Sequence, residues 1–133
     1  MSHVTAYLTT KGAADAIDFY ARAFGATESY RLEFEGRVGH AEIVIGETTI
    51  MLSDEYAEYG AIAPVTLGGT TVALVLEVPD CEAVFQQAID AGATLDRPMK
   101  DEPYGRGGWL IDPFGHRWNV ATMTPDWDPS KMS

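Results

Sequence analysis

The stretch "AIDFYARAFGAT" at residues 16–27 returns in altered form as "AVFQQAIDAGAT" at residues 83–94. Both stretches place apolar residues at helical spacing, and both end in Gly-Ala-Thr. This pattern is typical of an amphipathic helix that terminates at a glycine. Because the two copies lie half a chain length apart, the repeat predicts two copies of one structural unit.

The segments around these helices also repeat in order. Alternating or β-rich stretches predict strands at 4–8, 28–37, 38–46 and 47–54 around a helix at 12–26. A second set follows, with a helix at 80–93 that Asp80 opens and Gly92 closes, and with strands at 70–78, 104–112 and 116–122. The stretch at 94–103 is expected to be a poor strand or edge segment because prolines interrupt it.

The resulting fold class is α+β, with two βαβββ modules that form a cup-shaped, curved mixed sheet and carry their helices on the outer face. We expect the first module at 1–54, a connector at 55–70, the second module at 71–124 and a C-terminal tail at 125–133. The tail is expected to fray, although Trp127 could dock on the body. Neither module can cover its own sheet, so the two should pair, within one chain or between chains.

Composition narrows the classes of function. The chain has 133 residues, of which 46% are hydrophobic and 22% are charged, which is typical of a globular domain. A lone cysteine, Cys81, excludes an internal disulfide and a cysteine zinc cluster. No apolar run approaches the ~20 residues of a membrane helix, and nothing marks the N-terminus for export. We therefore expect a cytoplasmic protein with no membrane partner.

The charge balance points to the kind of partner. Nine Lys and Arg residues stand against twenty Asp and Glu residues, giving a formal net charge of −11. Nucleic-acid binding needs a basic patch, and none is visible, so no nucleic-acid partner is expected. The acidity would attract a cationic ligand at long range, or it could simply keep the protein soluble.

Two-residue alternation divides the strands into two faces. The helix-covered face collects the apolar residues, among them Val4, Leu8, Ile43, Leu52, Val72, Leu76, Trp118 and Val120. The opposite face mixes polar, aromatic and small residues, including Thr5, Tyr7, His40, Glu42, Met51, Ala73, Arg117 and Asn119. Such a surface suits the lining of a ligand cavity, and open solvent is the alternative.

The stretch "YGRGGW" at 104–109 adds candidates for ligand binding. Arg106 could fork onto a carboxylate or phosphate, Trp109 could stack on a ring, and Tyr104 lies beside them. The glycines would let a loop approach a ligand closely. The alternative is an ordinary hairpin with a solvated arginine. His116 is expected to cap its turn or face solvent, and Cys81 to be a small buried hydrophobe.

Several motifs together resemble the vicinal oxygen chelate superfamily, and in particular its PhnB-like subgroup. They are "AIDFYARAFGA", "GHAEIVIGETTIMLSDE", "LGGTTVALVLEVPD" and "DPFGHRWNVA". The superfamily includes glyoxalase I, bleomycin-resistance proteins and extradiol dioxygenases. The resemblance implies paired modules around a cup and a homodimer, often with cups built across chains. In metal-dependent members, four cup-facing His, Glu or Gln residues hold a divalent metal.

Carrying the four metal positions over to this chain places them at Thr5, Met51, Ala73 and Asn119. Alanine has no donor atom, and Thr, Met and Asn are weak ligands for Zn²⁺, Ni²⁺ or Fe²⁺. The resemblance therefore predicts no metal and no cofactor. It favours a metal-free protein of the glyoxalase/bleomycin-resistance type that binds a small aromatic or polyfunctional molecule, with a cationic, antibiotic-like ligand as one subtype.

His40 and Glu42 keep two other hypotheses open. They lie two residues apart on one predicted strand and so point to the same side, where they could act as an acid–base pair. They could also hold a relocated metal with a partner such as His3, or simply line the cup. The alternative function is thus a lyase or isomerase, either through His40 and Glu42 or through a divalent metal with relocated ligands. A third possibility is a scaffold whose cups are filled by its own side chains.

Overall fold

A computed structural model describes residues 1–125, 128 and 130. Module one contains β1 (Tyr7–Thr10), α1 (Ala13–Phe24), β2 (Thr27–Phe34), β3 (Arg37–Ile45) and β4 (Thr48–Asp54). A 3₁₀ turn (Ala57–Tyr59) and a short helix α2 (Pro64–Leu67) follow. Module two contains β5 (Ala73–Glu77), α3 (Cys81–Ala91), β6 (Thr94–Glu102), β7 (Gly105–Ile111) and β8 (Arg117–Met123).

Each module forms a four-stranded mixed sheet with the same topology. The strand orders are β1-β4-β3-β2 and β5-β8-β7-β6. In both sheets the first pair is parallel and the remaining pairs are antiparallel. The predicted α+β class and the repeated βαβββ order are therefore confirmed.

The two long helices begin and end close to where the sequence predicts. Gly25 follows α1 with a φ of 71°, and its N–H donates to the carbonyls of the last turn. The Asp80 side chain accepts a hydrogen bond from the N–H of Ala83 and so caps α3. A glycine and a capping carboxylate are strong local signals, which explains the agreement.

One hydrophobic core serves both modules. The helices α1 and α3 contact each other, and the Gln87 side chain donates to the Arg22 carbonyl at 2.7 Å. Tyr20 and Phe24 from α1 pack on Trp118 from β8, with ring centroids 5.6 Å and 4.7 Å away. Because both sheets turn their helix-covered side toward this core, their free faces point away from it.

A buried carboxylate, Asp112, fastens the modules together. Its Oδ1 accepts the N–H groups of Phe114 and His116 at 2.9 Å and 3.0 Å, which shapes the Asp-Pro-Phe-Gly turn. Its Oδ2 accepts the Trp118 indole N–H at 2.9 Å and the Tyr20 hydroxyl from the other module. Burial, together with the Asp112 charge, raises the pKa of Tyr20 well above its ordinary value.

The connector packs against this same turn. The Glu55 carboxylate accepts the N–H of Ala63 at 2.8 Å, a bond that lowers the pKa of Glu55. Gly115, with a φ of +90°, leaves room for Pro64, because a Cβ there would lie 2.8 Å from the Pro64 Cβ. No helix within residues 1–125 has the length and apolar character needed to cross a membrane.

Three expectations need correction or fall outside the structure. Val4 and Val72 were predicted on the helix-covered face, yet both are exposed, because each precedes its strand and the described pairing of β1 and β5 begins at Tyr7 and Ala73. The proline-containing stretch predicted to be a poor strand or edge segment does lie at the edge of its sheet, but it forms a full nine-residue strand, β6. Its register shifts on both sides of Arg97, so the edge tolerates Pro98. Trp127 lies outside the described residues.

Candidate functional site

The free face of module one carries a row of side chains across all four strands. Tyr7 pairs with Met51, Met51 with Glu42, and Glu42 with Tyr30. His40 lies next to this row on β3. We call Tyr7, Tyr30, His40, Glu42 and Met51 the module-one face. Tyr7 and Tyr30 are half exposed, at 49% and 50%.

Three members of the module-one face form a hydrogen-bonded chain. The Tyr7 hydroxyl lies 2.8 Å from His40 Nδ1, and His40 Nε2 lies 2.9 Å from Glu42 Oε2. An ionised carboxylate only accepts, so these partners assign the proton to Nε2 and leave Nδ1 to accept from the phenol. The sequence placed these residues on one side, and the structure links all three.

The free face of module two carries the corresponding row. Val75 pairs with Asn119, Asn119 with Trp109, and Trp109 with Arg97. Together with Arg117, these residues form what we call the module-two face. The guanidinium carbons of Arg97 and Arg117 lie 5.6 Å and 4.9 Å from the Trp109 ring centroid, within cation–π range. Arg117 also contacts the Asp96 carboxylate at 3.1 Å.

Arg106 lies away from Trp109. Its register partner is Thr122, whereas that of Trp109 is Asn119, so the two side chains leave β7 on opposite faces. Arg106 contacts Asp101 at 3.1 Å and Glu82 at 2.7 Å, and these carboxylates raise its pKa. The structure therefore does not bring Arg106 together with the other predicted ligand-binding residues.

Tyr104 and two glycines of the 104–109 stretch take part in the hydrogen bonding and packing of the sheet. Tyr104 lies in the turn between β6 and β7, where its carbonyl accepts the N–H of Thr124 at 2.7 Å. A Cβ at Gly108 would lie 2.7 Å from the Met99 sulfur and 2.9 Å from the Phe85 ring. A Cβ at Gly105 would lie 2.1 Å from the Thr122 carbonyl. The space beside Gly105 and Gly108 is therefore filled by other parts of the protein and is not available to a ligand.

The four positions carried over from metal-dependent relatives are not register partners on neighbouring strands: Thr5 is not opposite Met51, and Ala73 is not opposite Asn119. Thr5 precedes β1, and the β1 neighbour of Met51 is Tyr7. Ala73 lies beside Arg117, and the β5 neighbour of Asn119 is Val75. Within the described ranges, no three His, Cys, Asp or Glu side chains are grouped so that they could hold a metal ion. The residues Thr5, Met51, Ala73 and Asn119 therefore do not fit the His, Glu or Gln ligand set expected from metal-dependent members of the superfamily.

Two further candidates, His116 and Cys81, are buried and make contacts that connect elements of the fold. His116 is buried, and its Nε2 lies 2.9 Å from the Thr9 carbonyl, so it bridges the Asp-Pro-Phe-Gly turn to β1. Cys81 is buried at the start of α3, where its N–H donates to the Thr122 hydroxyl at 2.9 Å. The burial of Cys81 agrees with the expectation, whereas the His116 side chain reaches β1 instead of capping its own turn or facing solvent.

A cleft of about 740 Å³ runs between β1, the connector and the start of β5. Its lining includes Tyr7 and His116 together with apolar groups such as Leu67 and Leu74. Tyr7 therefore belongs both to the module-one face and to the wall of this cleft.

Sequence reasoning missed Tyr30 and Arg97. Each lies on the outermost strand of its sheet, β2 or β6, and completes the row on its free face. The alternation Tyr30, Leu32, Phe34 in a strand-like stretch was an available signal for Tyr30. Arg97 was hidden because Pro98 weakened the strand prediction around it.

Comparison with known proteins gives three kinds of match. The family model of the glyoxalase/bleomycin resistance protein/dioxygenase superfamily matches residues 1–120. An uncharacterized protein of Mycobacterium bovis is 40% identical over 120 residues, which is 86% of this chain and 79% of that protein. The anthracycline biosynthesis protein DnrV of Streptomyces peucetius is 29% identical over 118 residues, covering 87% of this chain and 39% of DnrV. The crystal structure of TioX from Micromonospora sp. ML1 superposes with a TM-score of 0.72 and 25% identity, over 93% of this chain and 100% of TioX.

Proposed function

Because this chain belongs to the glyoxalase/bleomycin resistance protein/dioxygenase superfamily, we propose that it is a metal-free protein that binds a small planar, polyfunctional molecule against its free sheet faces. The donor atoms support the metal-free part. A thioether and a carboxamide stand at Met51 and Asn119, and neither is a strong ligand for the divalent metals of this superfamily.

The module-one face is the observation that carries the proposal. Two half-exposed tyrosines flank a hydrogen-bonded histidine and glutamate. Ligand sites typically combine aromatic and apolar surface with a few convergent polar groups. The next residues of β2 in the same alternation, Leu32 and Phe34, are also exposed, at 52% and 63%. Contiguous exposed apolar surface of this kind marks an interaction site.

A homodimer would complete the site. The free faces of one chain point away from its shared core, so they do not enclose a ligand between them. A second copy could place its module-two face opposite the module-one face of the first. The exposed Val4 and Val72, before the edge strands β1 and β5, are surfaces that such a partner would cover.

The side chains on the two faces suggest the class of ligand. Tyr7, Tyr30 and Trp109 offer aromatic surface for a planar ring. The similarity to DnrV, whose name places it in anthracycline biosynthesis, is consistent with a polycyclic aromatic ligand. Glu42 on one face, with the net charge of −11 around it, favours a ligand that carries a cationic group.

Native mass spectrometry of freshly purified protein, with elemental analysis of the same sample, tests the assembly and the metal. We expect a dimer without stoichiometric metal. A monomer would overturn the dimeric site, and one metal per chain would overturn the metal-free part.

Thermal unfolding with doxorubicin, a cationic anthracycline, tests the ligand class. A ligand at 100 times its dissociation constant adds about 2.7 kcal/mol to the stability, which corresponds to a Tm increase of about 10 °C. The comparison variant is Tyr30→Ala, which removes an aromatic ring from the face but leaves the hydrogen bonds among Tyr7, His40 and Glu42 in place. No saturable shift for the unmodified protein, or an equal shift for the variant, would contradict the proposed site.

A further inference from the structure

The hydrogen-bonded chain on the module-one face has the geometry of a proton-transfer site. We propose that Tyr7, His40 and Glu42 form an acid–base site in which the Tyr7 phenol removes a proton from an enolisable carbonyl compound. This inference rests on the proposed function because it assigns chemistry to the same face. Tyr7 is the catalytic residue, whereas His40 receives the phenol proton and Glu42 positions the imidazole.

The resting protonation state follows from the partners of His40. Glu42 accepts from Nε2 at 2.9 Å, so the lone pair of Nδ1 is directed at the Tyr7 hydroxyl 2.8 Å away. The Tyr7 hydroxyl therefore donates its proton to the hydrogen bond with His40. The lone pairs of the phenol oxygen remain available to accept a hydrogen bond or a proton from a ligand. A base whose proton acceptor is itself oriented by a third group is the recurring arrangement of activated side chains.

Exposure decides which of the three groups reaches the ligand. Tyr7 is 49% exposed, whereas the side chains of His40 and Glu42 are 28% and 31% exposed. The ring of Tyr30 lies 6.0 Å from that of His40, and the row partner of Glu42 on β4 is the neutral Met51. The phenol is therefore the outermost member of the chain and the one that also lines the cleft beside β1.

The proposed step balances without a co-reactant. A C–H bond next to the carbonyl of the ligand breaks, and its proton passes to the Tyr7 oxygen. At the same time the Tyr7 proton passes to His40 Nδ1. The electron pair of the broken bond stays on the ligand as an enolate, and the new imidazolium remains hydrogen-bonded to the Glu42 carboxylate. Return of the proton to the same carbon exchanges it with solvent, and return to the remote carbon of a conjugated enolate isomerises the ligand.

Tyr30 provides a matched internal control. It lies on the same face as Tyr7 and is exposed to the same degree, 50% against 49%. Among the described contacts, Tyr30 makes a ring contact with His40 but no hydrogen bond to it. A difference in reactivity between the two phenols that His40→Gln abolishes therefore reports the hydrogen-bonded chain and not accessibility.

Acetylation by N-acetylimidazole at neutral pH measures this difference without any ligand. Attack of the phenol oxygen on the acetyl carbonyl expels imidazole, and peptide mass spectrometry gives the rate at each tyrosine. We expect Tyr7 to react at least about tenfold faster than Tyr30, because general-base assistance typically gives a factor of about 100 or more. His40→Gln should bring the rates together, since glutamine can accept the hydrogen bond but cannot take the proton.

Equal rates for Tyr7 and Tyr30 in the unmodified protein would overturn the acid–base site. That result would leave the ligand-induced Tm shift unaffected, so it is distinguishable from failure of the proposed function. We expect His40→Gln to fold because the side chain lies on a partly exposed face, and its melting curve verifies this. Tyr7→Phe, which keeps the ring, is the second variant and should lose the fast acetylation altogether.

The substrate class is tested with 2-tetralone, an aromatic ketone, in D₂O. Nuclear magnetic resonance follows the loss of the proton signal at the carbon between the ring and the carbonyl. We expect exchange above the background rate for the unmodified protein and for Tyr59→Phe, which alters an exposed phenol in the connector outside both free faces, and background exchange for Tyr7→Phe. Equal exchange with the unmodified protein and with Tyr7→Phe would overturn the assignment of Tyr7 as the catalytic base.

Discussion

The two modules share a topology and differ in the chemistry of their free faces. The row Tyr7, Met51, Glu42, Tyr30 crosses the sheet of module one, and the row Val75, Asn119, Trp109, Arg97 occupies the same strand positions in module two. One row carries a carboxylate and two phenols. The other carries an indole next to a guanidinium. The repeated scaffold therefore fixes the positions of the side chains, while the residue types at equivalent positions differ between the two modules.

The helix N-termini show a similar difference. Asp54, at the end of β4, accepts the N–H groups of Gly12, Ala13 and Val38 at 3.1 Å, 2.7 Å and 2.7 Å. Thr122, near the end of β8, accepts the N–H of Cys81 at 2.9 Å and donates to the Val78 carbonyl. Both residues fasten a helix start to the strand that ends beside it. Module one uses a charge and module two a hydroxyl.

The largest expected effect comes from removing the carboxylate that joins the two modules. Asp112→Ala would leave the Tyr20 hydroxyl, the Trp118 indole N–H and two backbone N–H groups without their acceptor. Unpaired buried donors and lost charge-assisted bonds cost about 3–5 kcal/mol in sum. Because a domain is stable by only about 5–15 kcal/mol, we expect a large fall in the urea midpoint.

Asp101→Ala is the control for Asp112→Ala. Its side chain is largely exposed and forms an ion pair with Arg106 at the surface, so its removal should change stability by less than about 1 kcal/mol. If Asp112→Ala unfolded at the same urea concentration as Asp101→Ala, Asp112 would not be the joint between the modules.

Much of the fold was predictable from local signals. The helix repeat ending in Gly-Ala-Thr, the cap at Asp80 and the glycine turns act within a few residues, so they identify the elements from sequence. The edge strand β6 and the exposed Val4 depend on which strands are available to pair. Strand pairing is a long-range property, and alternation within one segment does not reveal it.

The candidate site divides in the same way. Tyr7, His40 and Glu42 could be placed on one side from two-residue alternation and the shared strand of His40 and Glu42. Their hydrogen bonds depend on the parallel pairing of β1 with β4, which the sequence does not specify. Arg106 and Trp109 looked like partners because they are close in sequence, yet β7 turns them to opposite faces.

Removing the two helix anchors tests whether the modules depend on them unequally. Asp54→Ala leaves three backbone N–H groups without their carboxylate acceptor, and we expect a loss of about 2–3 kcal/mol. Thr122→Val keeps the shape but removes one acceptor and one donor, and should cost about 1 kcal/mol. Urea unfolding of both variants gives the order. If Thr122→Val lost as much free energy of unfolding as Asp54→Ala, or more, the charged contact in module one would not be the stronger of the two.

The smallest effect concerns pH. Burial, and then the charge of Asp112, raises the pKa of Tyr20, so the folded protein keeps this proton at a pH where the unfolded chain releases it. Above a pH of about 10, the ordinary value for tyrosine, the folded state binds more protons than the unfolded state. Stability should therefore fall as pH rises, by at most about 1.4 kcal/mol per pH unit from this one group.

Tyr20→Phe isolates this contribution from the other groups that titrate in alkaline solution. The variant loses the hydroxyl that donates to Asp112, so it should be less stable than the unmodified protein at neutral pH. Its stability should then decline less steeply between pH 10 and 11, because phenylalanine has no proton to release. Parallel slopes for the two proteins would show that Tyr20 ionises equally in the folded and unfolded states. In that case burial and the Asp112 charge would not hold the proton on Tyr20 in the folded protein.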